Sequence, residues 1–184
     1  MIPIRLFSMH AAVKSSVVAI MLALLAATAC ERKPAYGWHT LEAREGAFSV
    51  SLPGVASEED KPMKSATGGS FTSHSYNVKA SKEAAYGCSW WEDPTFKDRT
   101  AEQILDTARE SGLSGVDGRL LSEKQLTVQG HPARDIRAVA RGKAAYDNRL
   151  VLVGNRLYTL LVLDVSGKHD DKNVEKFFNS LVLR

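Results

Sequence analysis

The strongest pattern of apolar positions lies in the stretch RLVLVGNRLYTLLVL, from Arg149 to Leu163. Two apolar runs, residues 150–153 and 157–163, flank the dipeptide Gly154-Asn155. Glycine as the first of two loop residues is typical of a type II′ turn, whose twist matches that of antiparallel strands. The second run is apolar almost throughout. We therefore predict a hairpin whose second strand is central and covered on both faces.

Alternating apolar and polar positions predict further strands around this hairpin. Phe48, Val50 and Leu52 alternate with small or polar residues before Pro53-Gly54 ends the run. Residues 57–64 are charged and contain a proline, so we expect a loop or an edge strand there. The same alternation predicts strands over residues 70–80, 84–91, 120–128, 133–140 and 144–153, with a turn at residues 130–132.

Two segments have the apolar spacing of helices. Thr100 and Gln103 form a capping box, and apolar residues follow it at helical spacing until Gly112, a plausible end. Near the C-terminus, Asp170 or Asp171 is expected to cap a closing helix. This helix has one apolar stripe, which must lie on a sheet face and consists of Val174, Phe177, Phe178 and Leu181.

The first 29 residues have a different character from the rest. Arg5 and Lys14 are the only formal charges before Cys30, and the apolar run over residues 17–29 has 13 residues. A membrane-spanning helix needs about 20 apolar residues, so this run is too short. A basic flank, a short apolar run and small residues at its end indicate a secretory signal peptide over residues 1–29. Met9 offers an alternative start.

The end of this segment, Ala27-Thr28-Ala29-Cys30, resembles the bacterial lipobox, in which small residues precede a cysteine that becomes diacylated. Leucine is more usual where Ala27 stands. The resemblance implies lipidation of Cys30, and two or more acyl chains anchor a protein stably on a bilayer. The alternative is an ordinary signal peptide cut near Ala29. Glu31 replaces the aspartate that retains enteric lipoproteins in the inner membrane, so we expect outer-membrane attachment facing the periplasm.

The remaining chain has the composition of one globular domain. Loss of Arg5 and Lys14 leaves 22 basic against 21 acidic residues, a formal charge of +1, which argues against a nucleic-acid binder. Only one further cysteine remains beside Cys30, so no internal disulfide is expected. We predict a polar tether over residues 30–37 and a single domain over residues 38–184.

Several stretches together are similar to bacterial secreted proteins with a PsbP/Mog1-like domain. They are FSVSLPG, ILDTARESG, LLSEKQLTVQGHPARD, LVGNRLYTLLV and KFFNSLVL, and they cover about residues 38–183. The resemblance implies an α+β fold, an antiparallel sheet flanked by helices. It also implies a non-enzymatic binding or assembly factor, since named members attach to photosystem II or contact a nuclear GTPase. It carries over no binding residue.

The residues that could carry chemistry form no familiar site. The histidines that follow the predicted signal peptide lack the spacing of a metal motif such as H-E-x-x-H; they are His39, His74, His131 and His169. The run His169-Asp170-Asp171 offers three ligands, but adjacent loop residues diverge, and helix capping explains one aspartate. Cys88 has no charged sequence neighbour, which favours a buried structural thiol over a reactive one. We expect no metal, no cofactor and no catalytic residue.

One span is unusually basic. Residues 119–156 hold eight basic and three acidic residues, a net charge of +5. The basic residues are Arg119, Lys124, Arg134, Arg137, Arg141, Lys143, Arg149 and Arg156. They could face anionic headgroups or an acidic partner, or they could solvate strands and protect sheet edges. We favour the second explanation, because residues on alternating strand faces need not form one patch.

These observations predict a non-catalytic binding or assembly module, anchored to the bilayer through Cys30 and bound to an unidentified envelope protein. Two alternatives stay open. A carrier of a small apolar or anionic ligand would have an apolar pocket of several hundred Å³ between sheet and helix. An enzyme with dispersed site residues would bring polar groups with shifted pKa values together in a cleft.

Overall fold

A computed structural model describes residues 37–64 and 69–184 of the chain. The predicted signal peptide over residues 1–29, the lipidated Cys30 and most of the tether lie outside the described residues and stay predictions. The described part contains ten strands, two α-helices and one short 3-10 helix.

The strands, in chain order, are β1 (His39–Ala43), β2 (Phe48–Leu52), β3 (Ser57–Lys64), β4 (Ser70–Lys79), β5 (Ala84–Glu92), β6 (Gly118–Val128), β7 (His131–Ala140), β8 (Ala144–Val153), β9 (Arg156–Asp164) and β10 (Val182–Leu183). The 3-10 helix Pro94–Asp98 and helix α1 (Ala101–Gly115) lie between β5 and β6, and helix α2 (Asp171–Asn179) lies between β9 and β10.

Seven strands form one antiparallel sheet in the order β3-β4-β5-β9-β8-β7-β6, so β9 is its middle strand. Alternate residues of β9 enter two separate hydrophobic clusters. Tyr158, Leu160 and Val162 belong to one cluster, and Leu157, Leu161 and Leu163 belong to the other. Since successive side chains of a strand point to opposite faces, β9 is covered on both sides. The predicted central strand is confirmed.

The predicted hairpin between β8 and β9 is also present. Val153 pairs with Arg156 across a two-residue loop. Gly154 has a φ of 60°, while Asn155 keeps a negative φ, a combination that fits the predicted type II′ turn and does not fit type I′.

One face of the large sheet is covered by α2 and by a small sheet in the order β1-β2-β10. The apolar stripe of the closing helix is buried, and Phe177 is 0% exposed, with its ring 5.5 Å from that of Tyr86. Asp170 caps this helix by accepting a hydrogen bond from Asn173 N at 3.2 Å. The short strand β10, which the sequence pattern did not predict, pairs with β2 directly after the helix.

The other face is covered by α1, which packs on β6, β7 and β8. The predicted capping box is present, because Thr100 Oγ1 accepts from Gln103 N and Gln103 Oε1 accepts from Thr100 N. The expected helix end at Gly112 is wrong, since α1 continues to Gly115. Gly112 lies where the helix passes β8, and a Cβ there would be 2.8 Å from the hydroxyl of Tyr146.

The structure changes the predicted turn before β7 and decides between the two predictions for residues 57–64. The turn predicted at residues 130–132 lies one residue earlier, because Gln129 and Gly130 adopt φ values of 51° and 85°. His131 and Pro132 therefore already belong to β7. The charged segment over residues 57–64 is an edge strand, β3, which pairs only with β4 within the described sheet. Proline is tolerated on such strands because the outward side of an edge needs no hydrogen bond.

Candidate functional site

An open cavity of about 400 Å³ lies where the ends of β4, β5 and β9 meet. We call this cavity the strand cleft. Ser70, Phe71 and Thr72 of β4 line one side of it. The floor and the opposite side include His74, Trp90, Glu92, Asn155 and Arg156.

The strand cleft exists because neighbouring ladders of the sheet end at different places. The β3–β4 ladder continues to the pair Lys64–Ser70, whereas the β4–β5 ladder begins only at His74–Trp90. The β5–β9 ladder continues to Glu92–Arg156. In the described sheet, residues 70–73 therefore pair with β3 alone. The end of β4 and the end of β5 are not joined by ladder hydrogen bonds, and the cleft fills the gap between them.

The floor of the cleft is a stack of three planar groups. The rings of His74 and Trp90 are 4.2 Å apart with an interplanar angle of 14°. The Arg156 guanidinium lies over the Trp90 ring, 4.7 Å from its centroid, which is a cation–π distance. Asp60 contacts His74, with Asp60 Oδ1 2.7 Å from His74 Nδ1. Glu92 holds Arg156 by accepting hydrogen bonds from Nε and Nη2.

Contacts below the floor fix the position of this stack. Trp90 is 7% exposed and packs on Gly46, where a Cβ would lie 2.7 Å from Trp90 Nε1. The Tyr158 hydroxyl donates to Gly46 O at 2.7 Å and accepts from Arg156 Nη1 at 3.4 Å. Burial opposes the charge on Arg156, but hydrogen bonds with Tyr158 and Glu92 leave its pKa raised overall. Arg156 is therefore a fixed cation.

The cleft retains unused hydrogen-bonding capacity at its rim. Glu92 is exposed, and its Oε2 has no hydrogen-bond partner among the described residues, because both contacts with Arg156 use Oε1. The guanidinium has five N–H donors, more than its contacts with Glu92 and Tyr158 use. A ligand that both donates and accepts can therefore bind beside this ion pair without breaking it.

A row of polar side chains lies on the other face of the same strands. Ser73, Asn77, Ser89 and Thr159 each carry a buried oxygen without a hydrogen-bond partner in the described structure. We call these four residues the polar row. A buried polar atom left without a partner costs about 1–3 kcal/mol, and native structures contain few of them. The polar positions of the alternation over residues 70–80 are the sequence signal for its β4 members.

The four histidines of the described residues have partners or positions that do not form a metal site. His169 Nδ1 lies 2.8 Å from Asp147 Oδ2, Asp170 caps α2, and Asp171 binds Arg137. The three adjacent residues therefore diverge, as expected. Within residues 37–64 and 69–184, no three His, Cys, Asp or Glu residues are grouped so that they could hold a metal ion.

Cys88 is buried, with 2% of its surface exposed. Burial raises the pKa of its thiol, so the reactive thiolate is disfavoured. This agrees with the prediction of a structural cysteine.

Much of the basic span is neutralised inside the fold. Arg134, which is 3% exposed, contacts both Asp106 and Glu123, so it joins α1 to β6. Three further arginines are paired: Arg137 with Asp147 and Asp171, Arg149 with Asp135, and Arg156 with Glu92. Four basic residues remain exposed on the described surface, namely Arg119, Lys124, Arg141 and Lys143. The span is not one basic patch, and internal ion pairing explains half of it.

No helix in the described residues is both long and apolar enough to cross a membrane.

Comparison with protein-family models and with curated proteins finds no match. Among solved structures, the solution structure of cyanobacterial PsbP (CyanoP) from Synechocystis sp. PCC 6803 is similar, with a TM-score of 0.58 and 9% identity over 85% of this chain and 98% of that chain. A protein of unknown function from Pseudomonas aeruginosa, described as a putative regulator, has a TM-score of 0.48 and 12% identity over 80% and 97%. At such identities the likeness concerns the fold alone. The described part of this chain has the PsbP/Mog1-like α+β fold that its sequence motifs predicted.

Proposed function

We propose that this protein is a membrane-anchored envelope lipoprotein that acts as a non-catalytic binding or assembly module. The observation that carries the binding part is the strand cleft, a cavity of about 400 Å³ with a rigid aromatic floor and a charged rim. Rigid aromatic and arginine side chains are the groups that most often dominate binding energies at protein interfaces. Small-molecule binding pockets also have volumes of this order.

The chemistry of the cleft favours binding over catalysis and over apolar transport. Its titratable side chains already have partners, since His74 contacts Asp60 and Glu92 forms an ion pair with Arg156. A general base or nucleophile needs a free, activated group instead. A carrier of apolar ligands needs an enclosed apolar pocket, and this cleft is open and charged at its rim.

The lipobox motif supports the anchoring part. The test replaces Cys30 with serine in the native host and measures palmitate labelling and membrane fractionation of the full chain. We expect labelling to disappear and the protein to leave the membrane fraction, because the Cys30 sulfur is the atom that would form the thioether to the lipid. The matched control is Cys88→Ser, which removes a buried thiol and should leave both readouts unchanged. Palmitate labelling that persists in Cys30→Ser would contradict the anchor.

Chemical crosslinking and pull-down from the native envelope tests the binding part. Glu92→Lys places a second cation beside Arg156 and removes the free carboxylate oxygen, so partner capture should fall several-fold. Glu175→Lys changes the same charge on the exposed side of α2 and should leave capture unchanged. Equal capture by the two variants, at matched stability, would remove the cleft from the proposal.

A further inference from the structure

The backbone of β4 has a free edge inside the strand cleft. Thr72 pairs with Pro62 of β3. Opposite residues in an antiparallel ladder alternate between pairs that exchange hydrogen bonds and pairs that do not. Proline has no N–H to donate, so on an edge strand it occupies an outward-facing, non-hydrogen-bonded position. The N–H and C=O of Thr72 therefore point away from β3 and into the cleft.

The same alternation applies two residues earlier. Ser70 pairs with Lys64, so its backbone groups also face the cleft. The described β4–β5 ladder begins only at His74, and neither Ser70 nor Thr72 has a strand partner on that side. Both residues are exposed. An unpaired strand edge of this kind is a template for another extended chain.

The opposite wall complements a peptide group. Glu92 Oε2 is available to accept from an N–H, and the remaining N–H groups of Arg156 are available to donate to a carbonyl oxygen. The exposed side chain of Asn155 can do both. One side of the cleft thus offers backbone groups of a strand, and the other side offers a donor and an acceptor for the same ligand.

We propose that the strand cleft binds an extended segment of a partner polypeptide, which pairs through its backbone with Ser70 and Thr72 and contacts Glu92 and Arg156 on its other side. This inference rests on the proposed binding function and names the class of ligand. Residues 70–73 are the stretch of β4 that has no ladder on the side of β5, and it is about 13 Å long at ~3.3 Å per residue. The cleft therefore takes a segment of about four residues, and recognition of its backbone is a form of β-strand addition.

A small anion fits the same geometry less well. It would lie beside the Glu92 carboxylate, whose negative charge repels it, and it would leave the backbone groups of Thr72 unpaired. Of the two outer edges of the described seven-stranded sheet, that of β3 contains Pro62, which has no N–H to donate, and that of β6 lies away from Glu92 and Arg156. The experiment therefore separates three outcomes: a peptide in the cleft, an anion at Arg156 and a strand added to β6.

The test screens the full chain, purified in detergent, against a phage-displayed library of random dodecapeptides. Enriched peptides are synthesised, and their Kd values are measured for the unaltered protein, for Thr72→Pro and for Thr72→Val. Thr72→Pro removes the N–H that faces the cleft without removing a β3–β4 hydrogen bond. Thr72→Val is the matched control, because it keeps that N–H and loses only the hydroxyl. We expect binding about tenfold weaker for Thr72→Pro and within twofold of the unaltered protein for Thr72→Val.

Hydrogen exchange provides a readout that a merely structural role of Thr72 would not change. Peptide binding should slow exchange of the amides of residues 70 and 72, and it should leave the β6 amides unchanged. The three forms must also unfold at similar urea concentrations. A Thr72→Pro variant that misfolds is replaced by Glu92→Gln, which should weaken peptide binding several-fold without touching β4.

Specific results would overturn the inference. The inference is wrong if enriched peptides bind Thr72→Pro and Glu92→Gln as tightly as the unaltered chain. It is also wrong if they slow hydrogen exchange of the β6 amides. Saturable binding of inorganic phosphate that is lost in Arg156→Gln, together with no enriched peptide, would assign the cleft to anions. In each case a partner captured from the envelope in a Glu92-dependent way would leave the proposed function standing. Loss of that capture and of all peptide binding would refute both.

Discussion

The unpaired oxygens of the polar row lead us to expect that removing one hydroxyl will raise the free energy of unfolding, whereas most substitutions lower it. Thr159 lies on the central strand β9, opposite Ser89 on β5 and Leu150 on β8. Its Oγ1 is buried without a hydrogen-bond partner in the described structure. Thr159→Val keeps the branched shape and the strand preference of the side chain while replacing the hydroxyl with a methyl group.

The size of the effect follows from the unpaired hydroxyl. Threonine at this position carries a desolvation penalty of about 1–3 kcal/mol that valine does not. We expect the free energy of unfolding to rise by an amount within that range. Each kcal/mol should raise Tm by roughly 2–4 °C in a chain of this size. Urea melts followed by tryptophan fluorescence, together with thermal melts followed by circular dichroism, measure both quantities.

A matched control separates the unpaired hydroxyl from a general preference for valine in strands. Thr127 lies on β6 with its side chain exposed, so its hydroxyl is hydrated. Thr127→Val should change the free energy of unfolding by less than about 0.5 kcal/mol. If the free energy of unfolding of Thr159→Val falls by more than ~0.5 kcal/mol, the hydroxyl is not unpaired, because such a loss would mean that Oγ1 has a hydrogen-bond partner in the native protein. Ser89→Ala, which removes the neighbouring unpaired hydroxyl, should also stabilise, but not additively.

Three further predictions concern the hairpin, the closing helix and alkaline pH. Gly154→Val should lower the free energy of unfolding by ~1–3 kcal/mol, because a β-branched residue is strained at a φ of 60°; an unchanged urea midpoint would rule out the assigned turn. Phe177→Ala should cost ~3–5 kcal/mol because the side chain is 0% exposed, and an effect below about 1 kcal/mol would mean that α2 is not part of the core. Burial raises the pKa values of Tyr76 and Tyr86 from 10.0 to about 12. The neutral phenols therefore stabilise the fold fully below about pH 10, and this contribution should disappear as pH rises through about 12. Tyr86→Phe should flatten that dependence in urea melts, and an unchanged slope would contradict it.

Local patterns in the sequence predicted much of the fold. The run LYTLLVL is apolar at successive positions, and a strand needs that pattern only when both faces are covered, as β9 is. Thr100 and Gln103 are three residues apart, and the capping box they form depends on nothing distant. The apolar stripe of α2 was predictable because its residues recur at the three- and four-residue spacing of a helical turn.

Features that depend on distant residues were not predictable in the same way. The predicted end of α1 was wrong because Gly112 marks a close approach of the helix to Tyr146, which is far away in sequence, and does not mark the end of the helix. The ion pairs of the basic span were not predictable, because Arg134 and Arg137 contact acids on other elements. The strand cleft was not predictable for the same reason. It results from the places at which three ladders end, and the proline at position 62 indicated only that residues 57–64 were a loop or an edge strand.

Photocrosslinking in intact cells can show whether the anchored protein binds a partner through the strand cleft. A photoreactive residue is placed at Asn155, on the exposed rim of the strand cleft, and in a separate strain at Glu175, on the exposed side of α2. We expect a discrete protein adduct from position 155 in the membrane fraction and no such adduct from position 175. The adduct should be lost when Cys30→Ser or Thr72→Pro is added. The same adducts from both positions, or an adduct from position 155 that persists in both added variants, would contradict this expectation.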